Sequence, residues 1–249
     1  MFTDQFKNLE YTQTSDSSTN FLQAFYSSAL FEFAFGDYSS AALSCSSGTG
    51  CPQTLNPPAF PNTSFNYETA SLASQAAMDA MFGFGTYTLT TNDGTMSSYS
   101  YSSDNYANTP LVTDYSSLQG ANSALGLTFD LNPFGNVAAN SSYVFLSVYD
   151  ETLNQMVVND GFLSATTTSI TVTGGTLNPG DTFAYEVDYS NRVLVPETNS
   201  TDDAQLGFDT RTDGVFTTTA STVPEPASAL PAATALLALG LLARRRLAR

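Results

Sequence analysis

The sequence predicts an all-β protein, built as an antiparallel β-sandwich with one short helix and followed by a C-terminal transmembrane helix. Three observations predict this class. Apolar and polar residues alternate along several short segments, turn sequences separate those segments, and only 12% of the residues are charged, about half the usual share. A chain of 249 residues is long enough for one large β domain or two small ones.

Residues 182–190 show the alternation most clearly, with one apolar face running from Phe183 to Tyr189. Residues 143–149 are apolar on both faces, which is typical of a central strand. Further alternating segments are found at residues 86–90, 123–131 and 169–173. Strands of this length and spacing predict a two-layer sandwich of the immunoglobulin-like or jelly-roll-like kind.

Turn sequences separate these strands. The Asn-Asp-Gly triplets at residues 92–94 and 159–161 predict tight hairpins, because glycine and asparagine accept a positive φ. Further turns are expected at residues 174–175 and 178–181.

One segment has helical character. Residues 71–82 predict a short helix, with Ser74 as the N-cap, an alanine-rich interior and Gly83 as the stop signal. Residues 20–35 are ambiguous, since the phenylalanines at their end alternate as on a strand while the first half would also form one face of a helix. We favour strands there because the segment is rich in aromatic residues.

These elements suggest three parts of the chain. Residues 1–198 are expected to form the β-sandwich domain, with a division into two sub-domains near residue 108 as an alternative. Residues 199–222 are predicted to be a polar linker, although their few apolar residues could form a last hairpin. Residues 223–249 form a distinct tail.

The charge of the chain is unevenly distributed. Before Val223 the basic residues are Lys7, Arg192 and Arg211, set against 22 of the 23 acidic residues, so this portion carries a net charge of −19. Such a portion repels nucleic acid, because it has no cationic patch with which to release counterions. We therefore expect no nucleic-acid partner.

The chain contains no histidine. Histidine is the commonest general base and a frequent metal ligand. Its absence excludes a Ser-His-Asp or Cys-His catalytic arrangement and a histidine-based zinc site.

Cys45 and Cys51 are the two cysteines of the chain. The intervening glycines allow a small closed loop, so we predict a disulfide in an oxidising compartment. The alternative is two free thiols in a mobile loop. Two cysteines without further ligands are too few for a metal site.

The tail combines three features in order. Pro224, Glu225 and Pro226 are followed by uncharged residues 227–243, which as a helix would span about 25 Å, near the lower limit for crossing a bilayer. A basic cluster follows this segment and would stop it from passing further through the membrane, namely Arg244, Arg245 and Arg246. Such a cluster stays on the cytoplasmic side of the membrane, which places the preceding residues outside. The alternative is a short buried core helix.

This order of features resembles the PEP-CTERM sorting signal of Gram-negative bacteria. The resemblance implies that an exosortase, a membrane transpeptidase, cleaves near Pro224–Glu225–Pro226. The protein would be anchored in the inner membrane before processing and then reach the cell surface or the extracellular matrix of a biofilm. Exported proteins need an N-terminal secretion signal, which Met1 and the residues after it lack, so we expect the true start of the protein upstream. Residues 69–89, together with residues 114–120, loosely resemble the β-sandwich ectodomain of other proteins with this tail.

Carboxylates are the main candidates for a catalytic or metal-binding function. Glu186 and Asp188 share the polar face of one predicted strand, and Asp150-Glu151 ends another, so a glycoside hydrolase with paired carboxylates is one hypothesis. A structural calcium ion is another, because loop oxygens suit Ca²⁺. Its candidate ligands are Asp202, Asp203, Asp209 and Asp213, or alternatively Asn92 and Asp93. Solvated surface acids and turn-forming residues are the competing interpretations of these patterns, and we favour them.

Tyrosines suggest carbohydrate binding, since their rings can stack on sugars. The candidates lie close together in the sequence, namely Tyr99, Tyr101, Tyr106 and Tyr115. Packing in the core or across strands is the competing interpretation, and we favour it.

The sequence therefore favours a non-enzymatic, surface- or exopolysaccharide-associated structural protein without a cofactor or metal. Its expected partners are exosortase, the membrane and exopolysaccharide. The alternatives are a carbohydrate-binding or adhesive module and, less favoured, a glycoside hydrolase.

Overall fold

A computed structural model describes residues 2–31, 37–58, 63–137, 141–200 and 202–219 of the protein. These residues are mostly β-strand, which confirms the all-β prediction. The sorting motif Pro224, Glu225 and Pro226, the predicted transmembrane helix and the stop residues Arg244, Arg245 and Arg246 lie outside the described residues. Within the described ranges, no helix has the length and apolar character needed to cross a membrane.

Fourteen strands and two short helices form the described chain. In order they are β1 (Phe2–Ser15), β2 (Ser18–Phe31), β3 (Ala41–Cys45), β4 (Gln53–Leu55), β5 (Ser64–Glu68), α1 (Gln75–Met81), β6 (Gly85–Thr91), β7 (Met96–Tyr101), α2 (Tyr115–Leu118), β8 (Ala121–Asn122), β9 (Leu127–Asp130), β10 (Tyr143–Asp150), β11 (Gln155–Ser164), β12 (Ser169–Val172), β13 (Thr182–Val195) and β14 (Ala204–Thr219).

One large sheet dominates the architecture, with the strand order β11-β10-β13-β14-β1-β2-β5 and β8 pairing with the end of β14. Two smaller sheets, β4-β3-β6-β7 and β12-β9, complete the layers. Pairing is antiparallel throughout the described strands except that β1 and β8 run parallel to β14.

Two apolar cores lie on the same face of the large sheet. The first joins β1, β2 and the start of β14 to the four-stranded sheet and α1. The second joins β10, β13 and the end of β14 to the two-stranded sheet and the loops around it. Because β13 and β14 pair without a register shift, their alternation continues from one core into the other. A single sheet therefore supports both cores.

The sandwich-like layering, the hairpin at residues 92–94 and the short helix are confirmed. Ser74 caps α1 by accepting a hydrogen bond from the Ala77 amide at 3.1 Å. Within the ambiguous segment, residues 20–31 lie on β2, while residues 32–36 fall outside the described ranges. The predicted strand at residues 123–131 is shorter than expected, since β9 covers Leu127–Asp130 only.

The predicted polar linker is wrong over residues 204–219. These residues form β14, the longest described strand, at the centre of the large sheet. Thr210 and Thr212 face the core and are satisfied there, since they donate to the carbonyls of Asn108 and Pro110 at 3.2 and 2.8 Å. Composition alone cannot distinguish such a strand from an exposed linker, because both are rich in threonine.

The predicted hairpin at residues 159–161 is also wrong. These residues lie within β11, and the turn before that strand is formed by residues 151–154, where Asn154 adopts a φ of 56°. The register of β10 and β11 shifts between Val144 and Leu146, so the Asn-Asp-Gly sequence ends in a β-bulge and not in a chain reversal.

Candidate functional site

The face of the large sheet opposite the two cores, which we call the outer face, carries the densest set of charged side chains. One row crosses five strands through directly paired residues, namely Gln23, Glu10, Arg211, Asp188 and Phe145. Alternation along each strand places these five residues outside while their neighbours fill the cores.

Arg211 lies at the centre of this row. Its guanidinium lies 3.4 Å from Oε1 of Glu10, 3.4 Å from Oε2 of Glu186 and 3.2 Å from Oδ1 of Asp213. The approach to Asp213 is close but not aligned for a hydrogen bond. One arginine thus offsets part of the charge of three carboxylates.

Arg192 forms a second centre, nearer the end of the sheet where β1 begins. Its Nε donates to Oγ of Ser190 at 2.6 Å, and its Nη2 donates to the Tyr143 hydroxyl at 2.8 Å. Nη2 also lies 3.6 Å from Oδ2 of Asp209, and the guanidinium stacks 4.2 Å above the Phe6 ring. These contacts hold the guanidinium in one position.

Asp188 lies between the two arginines. Its Oδ1 is sequestered from solvent and has no hydrogen-bond partner in the described part of the chain. Burial raises the pKa of Asp188 well above its usual value of 3.8, and the nearby Asp209 and Glu186 raise it further. Burial also raises the pKa of Asp209. The outer face therefore contains carboxyl groups that keep their protons to a higher pH than exposed ones.

The proposed carboxylate pair of Glu186 and Asp188 lies on one strand, with both side chains on the outer face. Glu186 and Asp213 line a hollow of about 480 Å³, but both are ion-paired with Arg211. Asp150 accepts the amides of Thr152 and Leu153, both at 2.9 Å, and so stabilises the turn before β11. The contacts of these acids are those of a structural ion-pair network and a turn cap.

The predicted calcium ligands are not brought together as a group. Asp209 and Asp213 are ion-paired on β14, whereas Asp202 and Asp203 are exposed before that strand. Asp93 accepts from the Thr91 hydroxyl at 2.6 Å and thereby closes the turn at residues 92–94. In the ranges that the structure describes, no cluster of three or more acidic or cysteine side chains is suited to a metal ion.

The predicted disulfide between Cys45 and Cys51 is present, with Cα atoms 5.7 Å apart. The loop that it closes packs on the end of α1, since the Gly50 amide donates to the Met81 carbonyl at 2.8 Å. A Cβ at Gly48 would lie 2.2 Å from the same carbonyl oxygen, so this close approach requires glycine. The loop is therefore part of the packed structure.

The four tyrosines considered for carbohydrate stacking, all in the described part of the chain, are engaged in contacts within the domain. Tyr99 and Tyr101 are buried in the first core, where both stack with Tyr87, and Tyr99 donates to Gln5. Tyr106 packs edge-on against Phe208, and Tyr115 donates to the Val215 carbonyl at 2.9 Å. These contacts confirm the packing interpretation for Tyr99 and Tyr101.

A second hollow, which sequence reasoning missed, lies where β10 and β11 meet the Arg192 side of the outer face. It has a volume of about 490 Å³ and we call it the Phe162 pocket. Its lining residues are Ser141, Ser142, Tyr143, Phe162, Leu163, Ser164, Arg192 and Gln205. Phe162 is part of the β-bulge in β11, so strand alternation cannot indicate which way its ring points.

Comparison with known protein families and with curated protein sequences finds no match for this chain. The function is therefore inferred from the residues of the chain and their contacts.

Proposed function

We propose that the protein is an exported, non-enzymatic structural protein of a bacterial cell surface or exopolysaccharide matrix. An exosortase would release it from the inner membrane by cleavage in the tail. The observation that carries the proposal is the order of features in residues 223–249, namely a Pro-Glu-Pro motif, an uncharged segment and an arginine cluster.

Two properties of the described domain support an extracellular site. The Cys45–Cys51 disulfide is of the kind that forms and persists in oxidising compartments. The acidic excess before Val223 keeps copies of the protein apart by like-charge repulsion. The last described strand, β14, ends at Thr219, which precedes Pro224 in the sequence. Cleavage near the motif would therefore release an intact domain.

A processing assay tests the proposal. The chain is produced behind a secretion signal in a Gram-negative host, with and without a co-expressed exosortase, and the mass of the intact product is measured in membrane and surface fractions. We expect a product lacking the arginine cluster only when exosortase is present. The matched variant Glu225→Ala should remain uncleaved in the membrane fraction, whereas Glu197→Gln, which lies outside the motif, should be cleaved normally. Unchanged mass in all samples, or equal cleavage of the Glu225 variant, would refute the proposal.

A further inference from the structure

The Phe162 pocket combines an exposed aromatic ring, a fixed guanidinium and several neutral polar side chains. Phe162 is 81% exposed, the largest exposed fraction among the large apolar residues of the described chain. A lone exposed apolar residue needs no explanation, but this one adjoins a hollow of a size that holds small ligands.

The backbone holds the Phe162 ring in this exposed position. Two residues of β11, Gly161 and Phe162, lie opposite the single residue Phe145 of β10, which defines a bulge. Phe162 takes a φ of 59°, a left-handed conformation that bulky side chains rarely adopt. The bulge directs the ring onto Tyr143, where the two centroids are 4.9 Å apart in an edge-on arrangement. Strained backbone of this kind is concentrated at binding sites.

Arg192 supplies a polar group to the pocket lining. Its Nε and Nη2 are occupied by Ser190, Tyr143 and Asp209, whereas Nη1 donates to no atom in the described part of the chain. The Phe6 ring beneath the guanidinium and the Tyr143 hydroxyl beside it prevent rotation. A ligand hydroxyl would therefore meet a donor that is already oriented.

The remaining polar lining is neutral. Ser142, Ser164 and Gln205 carry hydroxyl and amide groups that both donate and accept hydrogen bonds. Arg192 is the one side chain of this lining that is charged at neutral pH, and Asp209 lies against it. A lining of one ring and several neutral hydrogen-bonding groups suits a sugar better than an ion.

The net charge of the protein indicates which class of sugar the pocket would bind. The portion of the chain before Val223 carries a net charge of −19, so a polyanionic glycan would be repelled over the whole surface. A neutral glycan meets no such barrier, and the flat C–H face of a pyranose ring matches the exposed face of Phe162.

We propose that the Phe162 pocket is a binding site for a neutral polysaccharide, with a pyranose ring stacked on Phe162 and its hydroxyls bonded by Arg192 and Gln205. This inference goes beyond the proposed function and does not depend on it, because the pocket would bind sugar whether or not the tail is cleaved.

Affinity gel electrophoresis of the full-length chain, in a non-ionic detergent without a sugar headgroup, tests the site. The gels contain dextran, barley β-glucan or galactomannan as neutral probes, and alginate as the anionic probe. We expect retardation by at least one neutral probe and about tenfold weaker retardation of Phe162→Ala, as expected for removal of the central aromatic contact. Phe162→Tyr should bind as the unmodified chain does, since it keeps the ring.

Leu153→Ala is the matched control, because Leu153 is also exposed, at 53%, but lies at the other end of the β10–β11 hairpin. It should be retarded as the unmodified chain is. Migration of all variants is compared in a gel without polysaccharide, and their melting temperatures show that each is folded. Absence of retardation by every neutral probe, retardation by alginate alone, or equal binding by the folded Phe162→Ala variant would overturn the inference. Exosortase takes no part in this assay, so its outcome is separate from that of the processing assay.

Discussion

Lys7 donates from Nζ to Oδ1 of Asp79 at 2.6 Å, across the space between β1 and α1, although the Lys7 side chain is only 1% exposed. Its Nζ also donates to Asp104 at 2.9 Å and lies 5.2 Å from the centre of the Phe84 ring. The sole lysine of the chain is therefore a buried cation held by two carboxylates and an aromatic ring.

Replacement of this lysine should destabilise the fold. Lys7→Met leaves Asp79 and Asp104 without their cation, so we expect the free energy of unfolding to fall by about 3 kcal/mol in urea denaturation. The triple variant Lys7→Met, Asp79→Asn, Asp104→Asn removes the uncompensated charges and should recover part of the loss. A Lys7→Met variant within about 0.5 kcal/mol of the unmodified chain would show that the ion pairs contribute nothing.

Stability should decrease as the pH rises. The pKa of Asp188 in the folded protein is raised by burial and by the nearby Asp209 and Glu186. The folded chain therefore binds the Asp188 proton more tightly than the unfolded chain does. The contribution is fully present below the unfolded pKa of about 3.9 and is lost as the pH rises through the folded pKa. Urea denaturation at intervals from pH 4 to pH 8 should show this decline. Asp188→Asn should reduce the slope, and an equal slope in this variant would assign the pH dependence to other groups.

Removal of the disulfide should cost a moderate amount of stability. Cys45 and Cys51 close a short loop, with a sequence separation of 6, so the chain-entropy contribution is about 2 kcal/mol. We expect the double variant Cys45→Ser, Cys51→Ser to unfold at a correspondingly lower urea concentration. Adding a reductant should then shift the midpoint of the unmodified chain but not that of the variant. A reductant effect on the variant would indicate a cause other than this bond.

Gly207 should not tolerate a side chain. It lies within β14 between Phe6 and Arg192, and an added Cβ would lie 2.3 Å from Cδ1 of Phe6. Gly207→Ala should therefore lower the free energy of unfolding by about 1–3 kcal/mol, through displacement of the Phe6 ring. The double variant Gly207→Ala, Phe6→Ala removes the obstacle, so the cost of the glycine substitution should be smaller when it is measured in the Phe6→Ala background. Equal costs in the two backgrounds would contradict this steric explanation.

Local signals predicted much of the fold. The alternation from Phe183 to Tyr189 correctly identified a face that packs in the second core. The Ser74 cap and the Asn-Asp-Gly turn at residues 92–94 were also predictable, because each depends on backbone groups only a few residues away. The Cys45–Cys51 disulfide was predictable for the same reason, since only a short loop separates the two cysteines.

Non-local pairings could not be predicted in the same way. The composition of β14 predicts a linker because its threonines and aspartates are polar. The groups that satisfy them in the fold, such as Pro110 and Arg192, are distant in sequence. The exposed ring of Phe162 was missed for a related reason. A bulge changes which face a side chain occupies, and the bulge is defined by the register of β11 against β10.

The sequence by itself determined the all-β class, the strand faces, the short helix and the disulfide, because those features depend on alternation and on neighbours within a few residues. It also carries the tail motif on which the proposed function depends. Only the tertiary structure decided that β1 and β14 pair in parallel, that Lys7 and Asp188 are sequestered, and that Phe162, Tyr143 and Arg192 surround one pocket. The physical reason is that burial and ion pairing depend on which strands become neighbours, and that choice is made by the packing of the whole sheet.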